Sequence, residues 1–151
     1  MIRRIWILLI LISSCDSTYS TEEANIKLIL KRYGHEPILD KKFYLVFAGK
    51  GCGACIEMTK SFIINNIDSV AADFIVSSDS EKEINFIFDY KIRNRNNFIS
   101  DHYNLGASLL TLYPKIYFVE NGTIVKDLEI NYNNAEGIFK MLKERFRASG
   151  T

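Results

Sequence analysis

The side chains most suited to chemistry in this 151-residue chain are those of two cysteines, Cys52 and Cys55, with two residues between them. They follow an apolar run, Phe43 to Phe47, and precede a helical pattern. A cysteine at the start of a helix lies near unpaired N–H groups and the positive end of the helix dipole, so we expect a lowered pKa for the Cys52 thiol. Cys55 follows one turn later, close enough to form a disulfide or to resolve a mixed one. The spacing therefore predicts a redox-active pair.

The residues around this pair are expected to shape the site. Gly51 and Gly53 allow another backbone to come close, because glycine has no Cβ. Lys50 adds a positive charge that we expect to favour the Cys52 thiolate. Ala54 completes the Cys-Gly-Ala-Cys segment. We therefore predict that Lys50, Gly51, Gly53 and Ala54 set the environment of the two sulfurs.

Other interpretations of the cysteine pair remain open. A zinc half-site needs further ligands, and the two histidines of the sequence, His35 and His102, are not accompanied by further cysteines. A purely structural disulfide over so short a loop would restrain the unfolded chain little. A metal chaperone that uses Cys52, Cys55 and His102 is a further alternative, as is a binding module with an inert pair. Our preferred interpretation needs no metal and no cofactor other than the disulfide itself.

The N-terminus has the layout of an export signal. A positive start, Met1 to Arg4, precedes an apolar run of eight residues, Ile5 to Ile12. As a helix this run would be about 12 Å long, against roughly 30 Å of bilayer hydrocarbon. A charged start, a short apolar stretch and small residues are typical of a secretory signal peptide. The alternative is a buried hydrophobic element.

The segment Ile12-Ser-Ser-Cys15 resembles a bacterial lipobox. The resemblance implies a signal peptide over residues 1–14 that is cleaved before a lipid-bearing Cys15. Residues 15–21 would then be a tether between membrane and domain. A lipid-anchored chain of this kind would lie in the bacterial cell envelope, in the periplasm or on the outer face of a membrane.

Composition favours one globular domain over residues 22–151. Hydrophobic residues make up 48% and charged residues 25% of the chain, which excludes a largely disordered protein. The formal net charge of +1 argues against a nucleic-acid partner, which would usually meet a basic excess.

Periodicity and turn signals predict an α/β fold with a mixed central sheet and helices on both faces. Capping-box spacing at Ser20 with Glu23 and at Ser80 with Glu83 marks two helix starts, and Asp101 is expected to cap another helix. Asn121-Gly122 is typical of a type I′ hairpin turn. The predicted elements are helix 21–33, strand 43–47, a helix from the cysteines to about 66, strand 73–76, a helix or strand around 84–88, strand 98–99, strand 115–119, strand 123–130 and a helix from 133.

In these features the sequence resembles the thioredoxin superfamily over about residues 22–148. The matching segments are Phe43 to Ala48 before Cys52-Gly-Ala-Cys55, and Tyr113-Pro114 through Asn121-Gly122. The nearest subgroup looks like the membrane-anchored thioredoxin-like (TlpA-like) proteins, which act outside the cytoplasm. In thioredoxins a cis-proline opens the strand that faces the cysteine pair.

This resemblance implies a thiol–disulfide oxidoreductase that acts on protein thiols and disulfides and exchanges electrons with a membrane donor or acceptor. Pro114 would be cis and would shape the substrate groove, and Tyr113 would present its backbone to the substrate. The alternative for Pro114 is an ordinary trans-proline at a strand edge. The sequence also departs from the family, since the acidic residues near the site would fall at Val46 and Met58. It therefore offers no general acid or base at those positions.

Overall fold

A computed structural model gives the fold over residues 18–36 and 43–147. The predicted signal peptide, the lipidation site Cys15 and the first part of the tether lie outside these described residues. The helices are α1 (Ser20–Arg32), α2 (Gly53–Asn66), α3 (Glu81–Ile87), α4 (Tyr90–Arg93), the 3-10 helix η1 (Leu105–Leu109) and α5 (Ala135–Arg145). The strands are β1 (Phe43–Ala48), β2 (Ala72–Ser77), β3 (Phe98–Asp101), β4 (Lys115–Glu120) and β5 (Thr123–Glu129).

The strands form one sheet in the order β3-β2-β1-β4-β5, with β1 at its centre. β1 is parallel to β2 and β2 to β3, whereas β4 is antiparallel to β1 and β5 to β4. This confirms the predicted mixed sheet. Alternate residues of β1 enter different cores, because successive side chains of a strand point to opposite faces. Phe43, Leu45 and Phe47 belong to one core, and Tyr44 and Val46 to the other.

The two cores place helices on both faces of the sheet, as predicted. The larger core includes side chains of α2, α3 and α5, and the second includes side chains of α1 and η1. Phe62 of α2 stacks on Phe139 of α5 with ring centroids 4.4 Å apart. Of the helices in the described part of the chain, none is long and apolar enough to cross a membrane.

Helix α1 runs from the β5 edge of the sheet to the β3 edge and is held by a tyrosine at each end. The Tyr19 hydroxyl donates to Asp127 Oδ1 at 3.1 Å in β5. The Tyr33 hydroxyl donates to Asp101 Oδ1 at 3.0 Å in β3. Because of these contacts, α1 ties the two edge strands together across one face.

Asp101 is fully buried, at 0% exposure, and its carboxylate is satisfied by several donors. Ser77 Oγ and the Gly106 backbone N–H donate to its Oδ2 at 2.7 and 2.6 Å, in addition to the bond from Tyr33. The expectation that Asp101 is a helix cap is partly correct. It is the last residue of β3 and the N-cap of η1 is Asn104, but its carboxylate still accepts an N–H from the first turn of η1.

Helix starts depend on which polar side chains are free to cap. Ser80 caps α3 by accepting the Lys82 N–H, and the segment predicted as helix or strand is a helix. The predicted capping box with Glu83 is only half formed, since the Ser80 N–H donates to Ser78 Oγ and the Glu83 carboxylate accepts from the Ser78 hydroxyl.

The capping box predicted at Ser20 is wrong. Ser20 is already the first residue of α1, and its N-cap is Tyr19, which makes no side-chain cap bond. The Glu23 carboxylate accepts from Lys27 Nζ at 2.5 Å rather than from the N-cap backbone.

The remaining differences are local. The start of α1 at Ser20 places the last two residues of the predicted tether inside the helix. α4 was not predicted, and α5 begins at Ala135 rather than at 133. The predicted hairpin turn is present, with φ of 51° at Asn121 and 76° at Gly122.

We expect Tyr33→Phe to destabilise the protein by about 1–3 kcal/mol, because a buried carboxylate loses a hydrogen-bond donor. The measurement is the free energy of unfolding from urea denaturation. Tyr19→Phe is the matched control, since it removes a similar bond to the partly exposed Asp127 and should cost less than about 1 kcal/mol. Equal losses in the two variants would contradict this role for Asp101.

Candidate functional site

Cys52 and Cys55 are joined by a disulfide, with their Cα atoms 5.3 Å apart. The bridge lies between the end of β1 and the start of α2. Cys52 is the N-cap of α2, and its carbonyl accepts the Ile56 N–H at 2.9 Å. The first sulfur therefore belongs to a residue at the positive end of a helix of 14 residues.

The two sulfur-bearing residues differ in accessibility. Cys52 is half-buried, whereas Cys55 has 0% exposure and lies on the buried face of α2. A bulky partner can reach only an accessible sulfur. Of the two cysteines, Cys52 is therefore the one that another molecule can reach, and Cys55 faces the interior of the protein.

A second loop lies directly against the cysteine segment at Gly51. This residue has φ of +125°, a conformation that favours glycine, and a Cβ placed on it would lie 2.5 Å from the Leu112 carbonyl oxygen. Gly53 differs, because a Cβ there would have nothing within 4 Å. The close approach that the sequence suggested for both glycines therefore occurs at Gly51 alone.

Pro114 is buried and immediately precedes β4. Its carbonyl accepts the Ile130 N–H at 2.8 Å, and Lys115 pairs with Val46 of β1. The proline therefore precedes β4 at the end of the sheet where β1 leads into the cysteine segment.

The expectation of a cis bond at Pro114 is not met, because the described residues contain no cis peptide bond. The trans form is the lower-energy isomer for an X–Pro bond, by about 0.5–1 kcal/mol. Pro114 also stands just ahead of β4, where its missing N–H removes no bond from the ladder.

A shallow groove of about 160 Å³ lies between the residues that lead from β1 to the cysteines and the loop that precedes β4. Its walls are Ala48 and Lys50 on one side and residues 110–114, with Asn104 and Ala107, on the other. Tyr113 and Pro114 are thus brought together with Lys50, although neither cysteine lines the groove. At its rim Leu112 is 72% exposed, an unusual amount for a leucine.

The charge of Lys50 is engaged by a neighbouring loop. Its ammonium lies 2.5 Å from Asp79 Oδ2, and Asp79 also accepts a hydrogen bond from Asn104 Nδ2 at 2.6 Å. The hydrogen bond to Asp79 raises the pKa of Lys50, and the bond from Lys50 lowers the pKa of Asp79. Lys50 therefore contributes less positive potential at Cys52 than the unpaired ammonium expected from the sequence.

Thr59 was missed by the sequence reasoning. It is fully buried on α2, and its Oγ1 is the one buried side-chain polar atom of the described chain that lacks a hydrogen-bond partner. The buried residues of α2 are Cys55, Thr59, Phe62 and Ile63. A polar residue four positions after a cysteine, on an apolar face, was the available signal. Met58, which the sequence placed on this face, is only half-buried.

His102 lies in an aromatic group apart from the cysteines. Its ring centroid is 5.3 Å from that of Tyr33 and 4.5 Å from that of Tyr103, and its Nδ1 is 3.3 Å from the Ser100 carbonyl oxygen. Within residues 18–36 and 43–147, no three His, Cys, Asp or Glu side chains are grouped so that they could hold a metal ion. The structure therefore does not bring His102 together with the cysteine pair.

In comparisons with protein-family models, curated proteins and solved structures, we found no match to this chain.

We expect Gly51→Ala to destabilise the protein by about 1–3 kcal/mol, because alanine is strained at this φ and its Cβ meets the Leu112 carbonyl. Gly53→Ala is the matched control within the same loop. Alanine is the better helix former and meets no neighbour there, so stability should be unchanged or should rise by up to about 1 kcal/mol. Thermal and urea unfolding of the oxidised forms measure both effects. A tolerated Gly51→Ala would contradict the close approach of the two loops.

Proposed function

We propose that this protein is a thiol–disulfide oxidoreductase of thioredoxin-like type that acts on protein disulfides outside the cytoplasm. The observation that carries the proposal is the disulfide itself. It joins a half-buried cysteine at a helix N-terminus to a fully buried cysteine one turn later. A dithiol built in this way has one sulfur for attack and one for resolution.

The reaction of the reduced form has two exchange steps. The Cys52 thiolate attacks one sulfur of a substrate disulfide, that disulfide breaks, and the leaving thiolate takes a proton from solvent. Cys55 then gives up its proton, and its thiolate attacks the Cys52 sulfur of the mixed disulfide. The bond between Cys52 and the substrate breaks, and the leaving substrate thiolate takes up a proton. Two electrons have passed from the dithiol to the substrate, and Cys52–Cys55 is oxidised.

Helix α2 supports the first step. The N–H groups of its first turn and the helix dipole favour negative charge on the Cys52 sulfur. Since Asp79 engages Lys50, the helix N-terminus is the main contributor that we assign to this effect.

The groove lined by Lys50 and residues 110–114 supports a peptide substrate. Pro114 and Tyr113 line it, as the resemblance to thioredoxins implies, and the exposed Leu112 offers an apolar contact at its rim. β4 continues from this loop as a direct neighbour of β1. A substrate chain in the groove would therefore contact Lys50, next to the cysteine segment, and the loop that precedes β4.

The lipobox resemblance supports anchoring through Cys15 in the bacterial cell envelope. Since Tyr19 binds Asp127 and α1 begins at Ser20, the folded domain already includes the last residues of the predicted tether 15–21. Four residues from Cys15 to Tyr19 reach at most about 14 Å. A membrane protein that donates or accepts electrons would thus meet this domain close to the bilayer.

A second candidate is a thioredoxin-like binding module with an inert cysteine pair. The pairing of Lys50 with Asp79 favours it, as does the valine at position 46, where the resemblance to thioredoxins implies a buried acidic residue. Titration of the Cys52 thiol separates the two functions. A pKa near 8.5 for the Cys52 thiol, which is that of an unperturbed thiol, would favour the binding module.

We expect the purified chain to accelerate reduction of insulin by dithiothreitol, followed as precipitation of the insulin B chain. Cys52→Ala should reduce the rate to the uncatalysed level, because the attacking sulfur is lost. Cys15→Ala keeps the disulfide pair and should retain the activity, which makes it the matched control. A wild-type rate no higher than that of Cys52→Ala would exclude the enzyme.

A further inference from the structure

The buried hydroxyl of Thr59 has no hydrogen-bond partner among the described residues. Burying a hydroxyl without a partner costs stability, so each such group needs an explanation. Valine has nearly the same shape and would avoid this cost. A threonine at this position therefore points to a partner that the disulfide form does not provide.

Cys55 is the candidate for that partner. Of the four buried residues of α2, Phe62 and Ile63 belong to the apolar core, and Cys55 and Thr59 have the polar side chains. Residues four apart on a helix have Cβ atoms about 5–6 Å from each other. Threonine populates two χ1 rotamers in helices, so its hydroxyl can turn towards the preceding turn.

The redox state decides whether Cys55 can act as this partner. In the oxidised form its sulfur is bonded to that of Cys52. Reduction by two electrons breaks this bond; uptake of two protons leaves a thiol on Cys55, and uptake of one proton, by Cys52, leaves a thiolate on Cys55. A thiolate accepts a hydrogen bond far better than a disulfide sulfur, because it carries the charge.

We propose that Thr59 is a positioning residue of the redox pair, and that its hydroxyl donates a hydrogen bond to the Cys55 sulfur once the disulfide is reduced. The proposal rests on the function proposed above and deepens it. Thr59 is the polar side chain that shares the buried face of α2 with Cys55, one turn further along the helix. Its bond stabilises the dithiol relative to the disulfide and makes the pair a stronger oxidant.

The test is the equilibrium between Cys52–Cys55 and glutathione. Each variant is made in a Cys15→Ala chain to remove the third thiol, equilibrated with reduced and oxidised glutathione, alkylated and weighed by mass spectrometry. We expect Thr59→Val to lower the equilibrium constant for reduction about tenfold, which equals about 30 mV for two electrons. Thr59→Ala, which also lacks the hydroxyl, should shift it in the same direction. Thr59→Ser keeps the hydroxyl and should stay within about twofold of the parent.

A merely structural role for Thr59 gives a different result. It would change the melting temperatures of the oxidised and reduced forms alike and leave the equilibrium constant unchanged. An unchanged constant in Thr59→Val and Thr59→Ala, or a shift in Thr59→Ser as large as theirs, would overturn the proposal. The constant can be measured whether or not the protein reduces insulin, so this failure is distinct from failure of the proposed function.

Discussion

The burial of β1 on both faces is the constraint on which the candidate site depends. Its side chains alternate between two cores, so a slip of one residue would move Phe43, Leu45 and Phe47 into the wrong core. The register with β2 and β4 is fixed for the same reason. With this register the strand ends at Ala48, and the cysteine segment begins at the same end of the sheet as the first residue of β4, Lys115.

Two segments far apart in sequence meet at this end of the sheet. The backbone of Gly51 lies against the Leu112 carbonyl, and Pro114 follows two residues later. Leu112 also lines the groove, so the contact lies at the wall of that groove. Cys52 precedes the helix and is half-buried, whereas Cys55 lies within the helix and is buried, so their difference in accessibility follows from where α2 begins.

The sequence predicted the parts of this architecture that depend on local interactions. The turn at Asn121-Gly122 and the cap at Ser80 each depend on residues only a few positions apart. The structure confirms the positive φ angles of the turn and the cap. The ion pair of Lys50 was not predicted, because its partner Asp79 is on the loop after a neighbouring strand. Thr59 was overlooked because its significance depends on burial and on an absent partner, and neither is visible in a pattern of residue types.

The central claim is that Cys52 attacks and Cys55 resolves, and trapping of a mixed disulfide tests it most directly. Cys55→Ser and Cys52→Ser proteins, each in a Cys15→Ala chain, are incubated with an activated peptide disulfide, and the adducts are weighed by mass spectrometry. The structure predicts rapid formation of a stable adduct on Cys52 in the first protein and little reaction at the buried Cys55 in the second. Equal trapping in the two proteins, or no adduct in either, would contradict the account.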